Sequence, residues 1–301
     1  MLSNERLSQT FNFFERNSHA LLHNETLRFL LRHKLLFLYV FVFCYRGDLI
    51  RPFFCLVSGG IVSVFGRLQV ETLETYTQKL ASSGKMAQQW EKEVTFVLLQ
   101  LINGLKTLQA QGIEEVSGDT LQHFLLIRAD KDPQYRIIIL DHVTPSEGQK
   151  TLTLCSAGLA AMLMLFQVKD PVQKAILSNS RPPKLPELTP SVGMFQSMAE
   201  ILQQNSTSMA LGQVKSMLEY MLWGPSDIAF EVTSQESREK SLQRWLDLER
   251  ATVLNNLIRT QGLWRIHLTV FEEYHLLFLV QTCAKMLHEA SLLFESEVAC
   301  M

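Results

Sequence analysis

Two carboxylates in this chain stand beside β-rich runs, where a carboxylate could accept a proton or hold a cation. Asp119 follows Val116-Ser117-Gly118 in a short polar loop and comes, with Thr120-Leu121-Gln122-His123, just before the apolar run Phe124-Leu125-Leu126-Ile127; Asp141 ends a second run, Tyr135-Arg136-Ile137-Ile138-Ile139-Leu140. Both have a plain structural account as well. Ser117-Gly118-Asp119 is turn chemistry, in which an Asp side chain satisfies nearby backbone, and Asp141-His142-Val143 reads as a strand-end turn. The remaining candidates are thinner. Cys44, Cys55, Cys155, Cys283 and Cys300 are odd in number, scattered and mostly set in apolar runs, which indicates neither a disulfide framework nor a zinc site. The glycine pair in Ser58-Gly59-Gly60-Ile61 fits neither GxGxxG nor GxxxxGK[ST] and reads as a turn or bulge.

The element that must position the Asp119 loop is the helix ahead of it. In Glu91 to Ala110 apolar residues fall at Val94, Val97, Leu98, Leu101, Leu105 and Leu108, the three-and-four spacing of a buried helical face, with Lys92, Gln100, Asn103 and Lys106 expected on the other side. Gly112 then supplies a residue that tolerates positive φ just past the helix end.

This order of long helix, glycine, short polar loop and small strand resembles a protein kinase around its catalytic loop. A kinase carries H-R-D-L-x-x-x-N there, the Asp taking the substrate hydroxyl proton and the Asn holding metal. Anchored on Phe124-Leu125-Leu126, the resemblance puts the base position on Gly118 and the Asn position on His123, with Asp119 one residue out of register and no His-Arg before it. Asp141 stands where D-F-G would hold magnesium, without the Phe or the Gly. Upstream, Val70 to Leu80 is similar to the segment that leaves the hinge and enters the first C-lobe helix. Downstream, Cys155-Ser156-Ala157-Gly158-Leu159 followed by AAMLMLF resembles the start of the kinase's buried central helix. Only Thr144 to Leu154 remains for an activation segment, too short to build the shelf for a peptide substrate. The resemblance therefore implies no catalytic residue, no cofactor-binding residue, no metal site and no cofactor.

The N-terminal stretch is less kinase-like. Asn4 to Leu31 suggests an irregular pair of amphipathic helices. Leu35 to Tyr45 and Pro52 to Phe65 are apolar runs split by Arg46-Gly47-Asp48 and Arg51, and neither reaches the roughly 20 residues of a membrane span without crossing those charges. Buried strands, a membrane-associated hairpin and sequence foreign to the domain are three readings of it. No strand lysine or αC-type Glu can be placed before Gly66, so the N-lobe is expected to be incomplete or absent.

At 301 residues, with 47% hydrophobic and 19% charged residues, the chain has the composition of a globular protein, and a formal net charge of −2 with no Lys/Arg stripe argues against nucleic acid as a partner. Arg181 to Pro190 is a proline-rich connector expected to face solvent, with Pro183 to Pro186 at P-x-x-P spacing. Gln213 to Trp223 is a helix stopped by Gly224-Pro225. Two further helices follow, one opened by a capping box at Thr233 to Glu236 and ending near Gly262, the other opened at Thr269 to Glu272 and running to about Phe294. Their apolar residues need a partner face.

Phe96-Val97-Leu98-Leu99-Gln100-Leu101, Leu222-Trp223-Gly224-Pro225 and Leu242-Gln243-Arg244-Trp245-Leu246-Asp247-Leu248-Glu249-Arg250-Ala251 together are similar to the PEAK/pragmin pseudokinases. The resemblance implies a mainly α (α+β) fold: a kinase-like C-lobe over residues 66–230, a helical dimerisation segment over 231–301, and an uncertain apolar segment over 1–65. It also implies an inactive scaffold in tyrosine-kinase and cytoskeletal, cell-migration signalling. Such a scaffold would work as a homodimer, or a heterodimer with related pseudokinases, and bind signalling proteins in the cytoplasm, at the cytoskeleton or focal adhesions, without membrane association. Trp245, Leu257, Tyr274 and Leu277 are the dimerisation candidates. A nucleotide-binding kinase of weak residual activity and a membrane-associated helical protein are the alternatives.

Overall fold

The architecture is that of a computed structural model, which describes residues 53–57, 60–64, 68–84, 86–129, 132–139, 148, 150–177, 182–204, 208–225, 234–261 and 268–298. The chain divides into two compact units, Met1–Leu68 and Gln69–Met301. In the first, strands β1 (Phe53–Val57) and β2 (Gly60–Val64) form an antiparallel hairpin, Phe53 opposite Val64 and Val57 opposite Gly60. The apolar run around Pro52 to Phe65 thus contains strands. The run Leu35 to Tyr45, the helix pair expected before it and the question of an N-lobe lysine lie outside the described residues.

Strand β3 (Leu68–Thr72) leads into α1 (Leu73–Ser82), whose first turn is capped by the Thr72 hydroxyl accepting from Thr75 N at 3.2 Å. Helix α2 (Ala87–Ala110) is the axis of the unit. Its buried residues include all six of the expected face and also Trp90, Phe96, Leu99 and Ile102; at roughly 1.5–3 kcal/mol for each large apolar side chain withdrawn from water, this helix supplies a large share of the driving force. Gly112 follows at φ +82°, as its position past the helix end requires. Gln100 departs from the pattern. It is buried rather than solvent-facing, because its amide donates from Nε2 to the Tyr135 carbonyl at 2.9 Å and accepts from Ile137 N at 3.0 Å.

The sheet is small. Strand β5 (Phe124–Ala129) lies between β3 and β6 (Arg136–Ile139), with Phe124 opposite Ile139 and Ile127 opposite Arg136. A separate antiparallel pair joins β4 (Glu115–Ser117) to β7 (Thr151–Thr153) through Val116 and Leu152. Helix α3 (Leu154–Leu165) is capped by Thr153 and buried along nearly its whole length, the position expected of a central helix. It crosses α2 closely at Gly158, where a β-carbon would meet Ile102 at 3.1 Å and Leu105 at 3.4 Å.

Helices α4 (Pro171–Leu177), α5 (Val192–Gln204) and α6 (Ser208–Trp223) complete the lobe. The proline-rich connector before α5 does not simply face solvent. Pro182 and Leu185 are buried, Leu185 N donates to Gln196 Oε1 at 2.9 Å, and the Glu91 carboxylate accepts from the hydroxyls of Thr189 and Ser191.

The C-terminal region holds α7 (Gln235–Gln261), α8 (Val270–Gln281) and α9 (Ala284–Val298). Helix α7 is capped by Ser234, whose hydroxyl accepts from Ser237 N, one residue later than the expected box. The Thr269–Glu272 capping box is present with both reciprocal bonds. The helix it opens is not continuous to Phe294, because Thr282 takes an extended conformation and the axis turns by 108° there. Arg250 holds the break, donating to the carbonyls of Leu279 and Thr282 at 2.8 Å each; a guanidinium in this place satisfies acceptors that a helix end leaves open. Among the described residues no single helix is long and apolar enough to cross a membrane.

Candidate functional site: the altered catalytic loop and an outward helical face

The β4–β7 pair fixes the start of the loop that a kinase uses for chemistry, and β5 takes up its end. Gly118 N donates to the Lys150 carbonyl at 2.7 Å, so the position aligned with a catalytic base is pinned by its backbone and has no side chain to offer. Asp119 follows in a turn closed by Gln122 N donating to its carbonyl at 2.9 Å. The buried Ser117 hydroxyl donates to the Asp119 carboxylate, and His123 Nε2 lies 3.8 Å from the other oxygen. The Ser117 bond foremost, then a bond from its own backbone N–H and the His123 charge, hold the Asp119 carboxyl below its ordinary value against some desolvation. A carboxylate so satisfied is a weak proton acceptor, since catalysis by a base gains from a pKa near the working pH. Structurally, Asp119 does what a turn Asp does. Asp141 lies outside the described residues. Among the described residues no group of three His, Cys, Asp or Glu side chains is disposed to hold a metal ion. Cys155 is buried and its thiol is pushed up to about 11 by that burial, which makes it a packing residue.

The four residues singled out on the C-terminal helices fall into two pairs. Tyr274 packs edge-on against Phe96 of α2, ring centroids 5.5 Å apart, and burial pushes its hydroxyl up to about 12. Trp245 is half-buried against a second, smaller core formed by Leu242, Leu246, Phe278, Leu279 and Leu287. Both therefore serve packing within the chain. Leu277 is 50% exposed, and Leu257 sits on a stretch of α7 in which no residue from Ala251 to Arg259 is buried. On that stretch Leu254 and Ile258, one turn apart, are 58% and 62% exposed, and Val280 on α8 is 78% exposed. Leu254, Ile258 and Val280 are absent from the candidates drawn from the sequence. The signal for the first two was an apolar i, i+4 pair on a helix whose other residues there are mostly polar.

Helix α8 is seated by more than its aromatic rings. Arg136 of β6 pairs with Glu273 at 2.6 Å, and Trp223 of α6 stacks on His275 at 5.3 Å with an interplanar angle of 9°. Helix α8 is thus docked on the lobe at its start, while on α7 no residue from Ala251 to Arg259 is buried.

No protein-family model matches the chain, and no curated protein does. Among solved structures it is similar to the crystal structure of the pseudokinase PEAK1 (Sugen Kinase 269), at a TM-score of 0.55 and 18% identity, over 84% of this chain and 76% of that one. At that identity the likeness concerns the fold, which is kinase-like and mainly helical with a small sheet.

Proposed function

We propose that the chain is a catalytically inactive, kinase-like scaffold of the PEAK/pragmin kind, acting through self-association and partner binding in cytoplasmic signalling to the cytoskeleton. The observation that carries the reading is the bare end of α7. A helix draws most of its stability from the face it buries, yet Leu254 and Ile258 are largely exposed among the described residues while the start of the same helix is packed. An apolar ridge of this kind marks an interaction surface, and a second copy of the chain would present the same ridge for a two-fold contact. The absence of a side chain at Gly118 and the satisfied Asp119 support the inactive half of the proposal. The solved structure of a pseudokinase with a similar fold is in keeping with it.

Sedimentation velocity on wild type and on Ile258→Asp tests the association. Wild type should sediment as a dimer at tens of micromolar and the variant as a monomer with unchanged far-UV circular dichroism. A monomeric wild type would remove the self-association from the proposal.

A further inference from the structure

A cleft of about 440 Å³ lies in the second unit where β3, α1, α2, the β5–β6 turn and the start of α8 meet. Gly118, Asp119 and His123 do not line it, so it is separate from the catalytic-loop position. Its size falls within the roughly 300–1,000 Å³ range of ligand pockets, and its wall sets four aromatic rings, those of Tyr76, Phe96, Tyr135 and Phe271, among polar and charged side chains.

The polar groups are incompletely matched. Glu71 is only 9% exposed at its side chain. Its Oε1 accepts from Lys79 Nζ at 2.6 Å and from the Tyr135 hydroxyl at 2.8 Å, whereas Oε2 is buried with no donor. Buried acceptors are rarely left in this state. Of the cations, Lys92 Nζ sits 4.7 Å from the Phe271 ring centroid, and the Arg128 guanidinium 4.7 Å from that of Tyr135 while donating to Gln69 Oε1 at 2.6 Å. Neither cation has a carboxylate within ion-pair distance among the described residues. Three cations, Lys79, Lys92 and Arg128, thus line the cleft against two carboxylates, Glu71 and Glu93.

The vacant acceptor calls for an N–H or O–H donor, and the surplus cation for an anion in the same cleft. A peptide with an acidic side chain carries both, since its main-chain N–H groups donate and its carboxylate pairs with Arg or Lys. A purely cationic ligand would satisfy Glu71 but add to the positive surplus, and a bare anion would leave Oε2 unmatched. We propose that this cleft binds an acidic peptide segment of a partner protein, main-chain N–H to Glu71 Oε2 and carboxylate between Lys92 and Arg128, with the aromatic wall covering the residue between. The site rests on the scaffold reading only in that its ligand is a protein partner; it does not need the α7 ridge.

The test is amide-detected NMR titration of the full chain with three probes: N-acetyl-glutamate N-methylamide, the glutamine analogue and the lysine analogue. The glutamate probe should give saturable shifts at residues around Glu71, Phe96 and Tyr135, in the millimolar range expected of a ligand with so few atoms. The glutamine probe should bind about fivefold more weakly, the lysine probe without saturation. Lys92→Glu, on an exposed side chain, should weaken the glutamate probe by about fivefold or more with the fold intact by circular dichroism, and Arg128→Gln should do the same. The Ile258→Asp protein should bind it as wild type does, which keeps failure of the cleft apart from failure of the dimer. Absence of saturable shifts, equal binding of the lysine probe, or indifference to both substitutions would overturn the proposal.

Discussion

Gln100 Oε1 accepts a hydrogen bond from Ile137 N at 3.0 Å, so a side chain of α2 completes the hydrogen bonding of a strand 37 residues later. Its Nε2 donates to the Tyr135 carbonyl beside it. One amide therefore does for the outer edge of β6 what a neighbouring strand would do, and fixes the sheet to α2 in a single register.

Replacing Gln100 with Leu should destabilise the protein by about 2–4 kcal/mol, because it strands a backbone donor and a backbone acceptor in a partly buried place beside an apolar side chain. Gln100→Glu, which keeps an acceptor for Ile137 but loses the donor to Tyr135, should fall between. Urea unfolding with unchanged slope would read both. A loss of less than about 0.5 kcal/mol for the Leu variant would show that water replaces the amide freely.

Leu254→Asp and Ile258→Asp should leave stability within about 0.5 kcal/mol of wild type, as exposed positions do, while reducing self-association. Trp245→Ala should behave in the opposite way. That ring packs on the Leu242–Phe278 core, so its loss should cost about 2 kcal/mol or more in thermal unfolding. Equal effects of all three on stability would mean that the end of α7 is covered within the chain.

Burial lowers the pKa of His275, with Glu249 at 4.0 Å opposing part of the shift. The unfolded chain therefore binds more protons than the folded one in this range, and stability rises with pH. The contribution is fully present above about pH 6.5 and is lost as the pH falls toward the lower folded value. The difference in unfolding free energy between wild type and His275→Gln should shrink on acidification from pH 7 to 5. A difference that stays constant would place the imidazole in effective contact with water.

Nucleotide should not stabilise the protein. A ligand present at one hundred times its Kd raises stability by about 2.7 kcal/mol, so millimolar ATP with magnesium would give a clear rise in Tm if it bound in the manner of an active kinase. No shift is expected, and Asp119→Asn should leave any phosphate transfer unchanged. Turnover that depends on Asp119 would overturn the inactive reading.

Much of this architecture was legible in local pattern. The apolar spacing from Val94 to Leu108, the glycine at 112, the continuous apolar run after Cys155 and the Thr269–Glu272 box each encode a local conformation with a single low-energy solution. A period of 3.6 records which side chains avoid water, and a box of two side chains satisfies its own helix end. Neither carries information about groups distant in sequence. Gln100 reads as a solvent-facing polar residue until Tyr135 and Ile137 arrive beside it, and the proline-rich segment reads as an open loop until Glu91 takes the hydroxyls of Thr189 and Ser191. The apolar pattern after Thr269 runs straight across Thr282, and only Arg250, reaching from another helix to two carbonyls, marks the bend. The same limit governs the helical face. Sequence shows that Trp245, Leu257, Tyr274 and Leu277 are apolar, but whether each turns to a core or to solvent depends on the docking of α8 between Phe96 and Trp223, a decision that only the tertiary structure makes.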